Sequence, residues 1–127
     1  VVTTLLAAKP GALLILEHPE ICLHPRGQAE LGRLIALVSQ NKVQVVVETH
    51  SDHLLNGIRV AVKEFHKGKS AKGIDKDHVR LFYFEKMKEE EEQYSKVTAI
   101  KLDKNGTLSD APAGLLDEWG NQLIKLL

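Results

Sequence analysis

The chain has 127 residues, of which 43% are hydrophobic, and this is enough to build the core of about one domain. Its 17 basic and 17 acidic residues cancel at pH 7, so the charge does not indicate a general attraction to nucleic acid or to anionic lipid. A single cysteine, Cys22, excludes an internal disulfide, and no apolar run approaches the roughly 18 residues of a membrane span, so we expect a cytoplasmic protein without a membrane contact.

The first half of the chain predicts alternating strands and helices. Continuous apolar runs bounded by turns are typical of strands buried on both faces, and apolar residues at spacings of three and four are typical of amphipathic helices. This order predicts a parallel βαβ unit with a right-handed crossover. In chain order, the pattern predicts a short helix closed by Pro10-Gly11, a strand at residues 12–17, a helix at 26–40, a strand at 43–48 and a helix at 51–65.

The second half of the chain is less regular. It predicts a polar loop at residues 66–77 and a strand at 78–86, and its charge run at 87–94 is typical of a solvated loop or a frayed helix end. Asn105-Gly106 is a strong signal for a β-hairpin. The last stretch predicts an amphipathic helix, and its expected core-facing residues are Leu116, Trp119, Leu123, Leu126 and Leu127.

Polar residues gather where the two strands of the first half end. Glu17 ends the first strand and Glu48 ends the second, and neighbouring parallel strands would place these ends about 4.8 Å apart at one rim of the sheet. The two carboxylates would repel each other there unless a divalent cation, a basic group or ordered water relieves them. The residues of the two following loops that converge on this rim are His18, Glu20, Thr49, His50, Ser51, Asp52 and His53.

These segments resemble a family of ATPases. "ALLILEHPE" resembles the Walker B strand of P-loop ATPases of the ABC type, and "CLHPRGQAELGRLI" resembles the D-loop and the next helix of the RecF-like and OLD-like members. "VQVVVETHSDHLLNGI" is similar to their switch-histidine strand and loop. "LSDAPAGLLDEWGNQLIKLL" is similar to the tail of a bacterial AAA/ABC-type subgroup with an uncharacterised C-terminal domain.

The resemblance implies a fold and a division of the chain. We expect an α/β fold in which residues 1–86 form the parallel βαβ core of an ABC-ATPase-like, P-loop NTPase sheet. Residues 87–127 would then form a C-terminal extension with a β-hairpin and a helix. The implied activity is that of an ATP-hydrolysing motor or switch in DNA repair or phage defence, with a nuclease or effector as partner.

The resemblance also implies roles for single residues. Glu17 lies where the Walker B aspartate holds Mg²⁺, and His50 matches the switch histidine that contacts the γ-phosphate of ATP. His24 falls in the D-loop, which meets the partner subunit of a homodimer across an ATP sandwich. We expect Glu48 and Thr49, on the same rim, to contact the cofactor as well.

The chain departs from the family pattern in two ways. His18 occupies the place of the glutamate that positions and deprotonates the attacking water, although an imidazole can also accept a proton near neutral pH. Glu20 and Glu48 are the alternative bases, so the catalytic candidates are His18, Glu20 and His50. The sequence has no G-x-x-x-x-G-K-[ST] phosphate loop and no Leu-Ser-Gly-Gly-like signature. We therefore expect the C-terminal part of a longer ATPase, which by itself is inactive.

Two other function classes stay open at the level of sequence. A metal-dependent phosphoesterase would use the rim of carboxylates and histidines directly, although the spacing of these residues matches no zinc pattern. A structural or partner-binding module would use none of them. The residues that would supply ligands to such a metal site are His18, His24, His50, His53, Glu17 and Glu48.

Overall fold

The computed structural model describes residues 1–68, 72–112, 115–116 and 118–126, the last range without the side chains of 118–121. It is a mixed α/β structure with one parallel and one antiparallel sheet. The elements are α1 Val2–Ala7, β1 Leu13–Glu17, α2 Pro25–Gln40, β2 Gln44–Glu48, α3 Asp52–His66, a 3₁₀ turn Lys76–His78, β3 Leu81–Glu89, β4 Glu92–Leu102, β5 Leu108–Ser109 and α4 Glu118–Leu126.

The parallel sheet confirms the predicted βαβ unit. β1 and β2 pair in register from their first residues to their last, so that Glu17 lies opposite Glu48. On one face of the sheet, partly buried apolar side chains of both strands pack against a core of Leu5, Leu31, Ile35 and Leu54. These core residues come from all three helices of the first half, so the helices cover this face.

The other face of the parallel sheet is open. Leu13 is 55% exposed, Ile15 is 69% exposed and Val46 is 50% exposed. The prediction of strands buried on both faces is therefore wrong for the described residues. The side chains of a strand alternate between its two faces, and the helices of the first half pack on only one of them.

Helices α2 and α3 cross with their backbones in direct contact. A Cβ added to Gly32 would lie 2.1 Å from the carbonyl oxygen of Leu54, and one added to Gly57 would lie 2.0 Å from the carbonyl oxygen of Ala29. Neither position tolerates a larger residue without moving a helix. The contact at Leu54 fixes the first turn of α3, which begins at the rim of the sheet.

A long antiparallel hairpin follows, formed by β3 and β4. The prediction of a solvated loop or a frayed helix end at residues 87–94 is wrong, because these residues complete β3, turn, and begin β4. Glu90 makes the turn with a φ of 52°. The glutamates are accommodated because the tip of the hairpin is exposed to solvent.

The hairpin predicted at Asn105-Gly106 is confirmed as the turn between β4 and β5. The carboxylate of Asp103 accepts hydrogen bonds from the backbone N–H groups of Asn105 and Thr107, both at 2.8 Å. The carbonyl oxygen of Gly106 accepts a bond of 2.6 Å from Nε of Arg59, which joins this turn to α3.

The C-terminal helix α4 confirms a helix where one was predicted, but the burial of its apolar residues is not confirmed. Leu123 is 45% exposed and Leu126 is 83% exposed, because no described element covers them. The side chain of Trp119 and the whole of Leu127 lie outside the described residues, and Leu116 is half-buried.

The described residues test two further predictions only in part or not at all. The polar loop at residues 66–77 includes the start of the 3₁₀ turn, and residues 69–71 lie outside the description. The division after residue 86 falls within β3 and stays a prediction. Among the described residues, no helix has the length and apolar character needed to cross a membrane.

Candidate functional site

The candidate site lies at the rim where β1 and β2 end. Glu17 and Glu48 are neighbours there in the register of the sheet, and both are exposed. The sheet extends one hydrogen bond further, because the backbone N–H of His18 donates to the carbonyl oxygen of Glu48 at 2.9 Å. The loops that follow the two strands therefore both begin at this edge of the sheet, as expected for parallel strands.

His18 is the centre of the rim. Its φ of 43° lies in the left-handed region, which a residue with a side chain seldom adopts outside turns and functional sites. The imidazole stacks on that of His50, with ring centroids 5.1 Å apart and an angle of 26° between the planes. Its Nε2 lies 3.9 Å from Oε1 of Glu48, and its Nδ1 lies 4.0 Å from Oε1 of Glu20. The ring is thus placed between two carboxylates and a second imidazole.

Glu20 is the buried acid of the site, with only 7% of its surface exposed. Its Oε1 accepts a hydrogen bond of 2.6 Å from the hydroxyl of Thr49. Its Oε2 is buried and has no hydrogen-bond partner among the described residues. An unpaired buried carboxylate oxygen is costly, and such groups are often retained for a functional reason.

A chain of hydrogen bonds joins the two loops of the rim. The hydroxyl oxygen of Thr49 accepts a bond of 3.0 Å from the N–H of Ser51. The hydroxyl of Ser51 donates to Oε1 of Gln28 at 2.6 Å and accepts from the N–H of Leu54 at 3.0 Å, so it caps α3. Gln28 in turn donates through Nε2 to the carbonyl oxygen of Leu23 at 3.0 Å. The starts of α2 and α3 are thereby held together at the rim.

An open groove of about 350 Å³ lies beside this chain of hydrogen bonds. Gln28 belongs to its wall and was missed by the sequence reasoning. The signal for it was present, because Gln28 lies in the first turn of a helix that starts near the same edge of the sheet. The residues that line the groove are Glu20, Gln28, His50, Ser51, Asp52 and His53.

The structure therefore brings together most of the candidate residues from the sequence. His18, Glu20 and Thr49 converge, and His50 is exposed above them where a ligand can reach it. His24 is placed differently: it is exposed at the residue before α2, makes no capping hydrogen bond with its side chain, and is not part of the groove wall. The arrangement offers carboxylates, imidazoles and the start of a helix to one ligand.

Two family models match the chain. Residues 1–56 match the family described as "AAA domain, putative AbiEii toxin, Type IV TA system". This match covers the first part of the chain. Residues 74–126 match the family described as "Protein of unknown function (DUF3696)". No curated protein and no solved structure is similar enough to the chain to count as a match.

These matches confirm the family resemblance in both halves of the chain. The AAA-domain segment contains β1, α2 and β2, and every predicted site residue from Glu17 to His50 lies within it. The DUF3696 segment contains the antiparallel sheet and α4. The AAA-domain match supports an origin in the P-loop ATPase families.

Proposed function

We propose that this chain forms part of an ATP-binding and ATP-hydrolysing site and that the intact protein works as a nucleotide-driven motor or switch. The observation that carries the proposal is the rim of the AAA-domain segment, where Glu17 is in register with Glu48 and His18 stacks on His50. In open parallel sheets, ligands bind beyond the carboxyl ends of the strands. We assign the βαβ unit to a P-loop NTPase sheet on this basis.

The donor groups of the rim suit a magnesium ion and a nucleotide. Glu17 and Glu48 are exposed carboxylates, and Mg²⁺ prefers oxygen ligands. When bound, Mg²⁺ neutralises charge on phosphate oxygens. We assign Glu17 to the ion, in the Walker B position, and we assign Glu48 and Thr49 to contacts with the cofactor.

His18 is the proposed general base. Its Nδ1 lies 4.0 Å from Oε1 of the buried Glu20 and its Nε2 lies 3.9 Å from Oε1 of the exposed Glu48, and the proposal assigns the proton to Nδ1, on the buried side. Nε2 is then free to accept the proton of an attacking water. We assign to Glu20, on the buried side of the ring, the role of orienting the imidazole. The hydrogen bond from Thr49 holds Glu20 in place. Should His18 not be the base, Glu20 and Glu48 are the next candidates.

His50 is the proposed sensor of the γ-phosphate. It is exposed and directly follows the last residues of β2, and its contact with His18 couples the sensor to the base. His24 is assigned to the contact between two copies of the protein across bound ATP, since it is exposed at the start of α2. We propose a role in DNA repair or phage defence with a nuclease or effector as partner; the family description itself names a putative toxin of a type IV TA system.

We expect His50→Ala in the intact protein to lower ATP hydrolysis about 10²-fold, since it removes one group that contacts developing phosphate charge. Nucleotide-dependent dimerisation should weaken in the same variant, because one contact serves both. The fold should persist, because His50 is exposed and belongs to neither buried apolar core. Steady-state hydrolysis and light scattering with and without ATP measure the two effects.

The matched control for this experiment is His78→Ala, which removes an exposed imidazole from the 3₁₀ turn instead of the rim. It should leave hydrolysis and dimerisation as they are. An unchanged rate of ATP hydrolysis in His50→Ala would contradict the sensor role. An equal loss of hydrolysis rate in His50→Ala and His78→Ala would contradict it as well.

We also expect the 127-residue chain to bind Mg-ATP only feebly, with a Kd of about 1 mM or weaker. The backbone amides and the lysine of a phosphate loop supply most phosphate contacts in such enzymes, and the sequence contains no such loop. We propose that another segment of the intact protein supplies it. Isothermal titration calorimetry tests this, and a micromolar Kd for the chain alone would refute it.

A further inference from the structure

Three side chains above the ends of β1 and β2 form a set of metal ligands. The ligand atoms of His18, Glu48 and His50 all lie within 4.8 Å of one another. Around a tetrahedral zinc ion with bonds of about 2.0–2.2 Å, neighbouring ligand atoms lie roughly 3.3–3.6 Å apart. Because Glu48 and His50 are exposed, rotation of their side chains can close this difference. We propose that His18, Glu48 and His50 bind one divalent transition-metal ion of the zinc class.

The ligand types determine which metal fits. Two imidazoles and one carboxylate are typical of zinc sites that keep a fourth position open, whereas Mg²⁺ and Ca²⁺ prefer oxygen ligands throughout. The site is therefore distinct from the magnesium position assigned to Glu17. It uses three side chains that the proposed function also employs, so an ion bound through Nε2 of His18 and base catalysis by that atom are alternative states of the rim; binding of the ion requires neither nucleotide nor a phosphate loop.

The surroundings of His18 support the same assignment independently. A histidine that binds a metal through one ring nitrogen commonly donates the N–H of the other to a carboxylate. In His18, Nε2 faces Glu48 and Nδ1 faces Glu20. Glu20 is more than nine-tenths buried, and its Oε2 has no partner among the described residues. The carboxylate oxygen nearest the ring is Oε1, 4.0 Å from Nδ1, and a shift of about 1 Å would let Glu20 accept that N–H and orient the ring.

The backbone also holds two of the three ligands together. The N–H of His18 donates to the carbonyl oxygen of Glu48 at 2.9 Å, and the left-handed φ of His18 turns the chain out of the strand at that point. The stacked rings bring His50 to the same side. The backbone of His18 and Glu48 is thus fixed before an ion arrives, and side-chain rotations remain to bring the ligand atoms to bonding distance.

The test is a titration of Zn²⁺ into the 127-residue chain without nucleotide, followed by calorimetry. We expect one ion per chain with a Kd of about 1 μM or tighter. Co²⁺ should give the visible absorption of a four-coordinate site. His50→Ala should weaken Zn²⁺ binding about 100-fold or more, and Glu20→Gln should weaken it about 10–100-fold, as expected for a group that orients a ligand.

Two matched controls distinguish Zn²⁺ binding at these three ligands from non-specific attraction of the cation to exposed side chains. His78→Ala removes an exposed imidazole from the 3₁₀ turn and should leave the Kd unchanged, and Glu92→Gln, in β4, should cost far less than Glu48→Gln. Circular dichroism confirms that each variant is folded. Binding weaker than about 1 mM, or equal losses within either pair, would overturn the proposal. Because no nucleotide is present, either result leaves the ATPase proposal to its own test.

Discussion

Replacing His18 with alanine in the proposed ATPase is expected to lower kcat about 10²–10⁴-fold, the usual loss when a general base is removed. The expectation rests on the position of the imidazole, whose ring nitrogens lie 4.0 Å from an oxygen of the buried Glu20 and 3.9 Å from an oxygen of Glu48. Single-turnover hydrolysis measures the chemical step without product release.

His18→Glu distinguishes two roles for this position. If His18 is the base, a glutamate in its place should keep activity similar or move the pH optimum downward, because a carboxylic acid loses its proton at lower pH than an imidazole does. If hydrolysis is instead slow for want of the glutamate that the family usually has, the same variant should raise kcat. Unchanged turnover in both His18 variants would place the base elsewhere, with Glu20 and Glu48 as the next residues to replace.

Gly32→Ala is expected to lower the free energy of unfolding by about 3 kcal/mol or more, at the upper end of the usual cost of overpacking. The new Cβ would lie 2.1 Å from the carbonyl oxygen of Leu54, so α2 and α3 must separate. That oxygen belongs to the backbone and cannot turn aside as a flexible side chain would. Urea denaturation followed by circular dichroism gives the loss.

Gly27→Ala is the matched control in the same helix. There the added Cβ meets nothing closer than Leu23 Cβ at 3.7 Å, an ordinary contact. Alanine favours the helix over glycine by up to about 1 kcal/mol, so this variant should be as stable as the parent or more so. Equal denaturation midpoints for Gly27→Ala and Gly32→Ala would show that the two helices are not in contact at this crossing.

The first half of the fold was predictable because its signals are local. Apolar periodicity marks β1, α2, β2 and α3. The charge run at residues 87–94 gave a wrong prediction for an equally local reason. Glutamates are uncommon in strands, but Glu90 and Glu91 form an exposed hairpin tip, where packing does not select against them.

The site was predictable only as far as the sheet determines it. Parallel strands end at one edge, so Glu17 and Glu48 could be placed together from the sequence. The stacking of His18 on His50 could not, because it depends on the left-handed φ of His18, which the residue type does not indicate. The burial of Glu20 was equally hidden, since glutamates are rarely buried.

The open face of the parallel sheet has a consequence for every solution measurement on this chain. In the described part of the chain, β1 and β2 pair only with each other, so each has an outer edge of unpaired backbone groups, next to the exposed Ile15 and Val46. Such edges favour pairing between molecules, and self-association makes apparent stability depend on concentration. Melting temperatures and dissociation constants of the chain should therefore be extrapolated to low protein concentration, and additions that cover this face should raise its solubility.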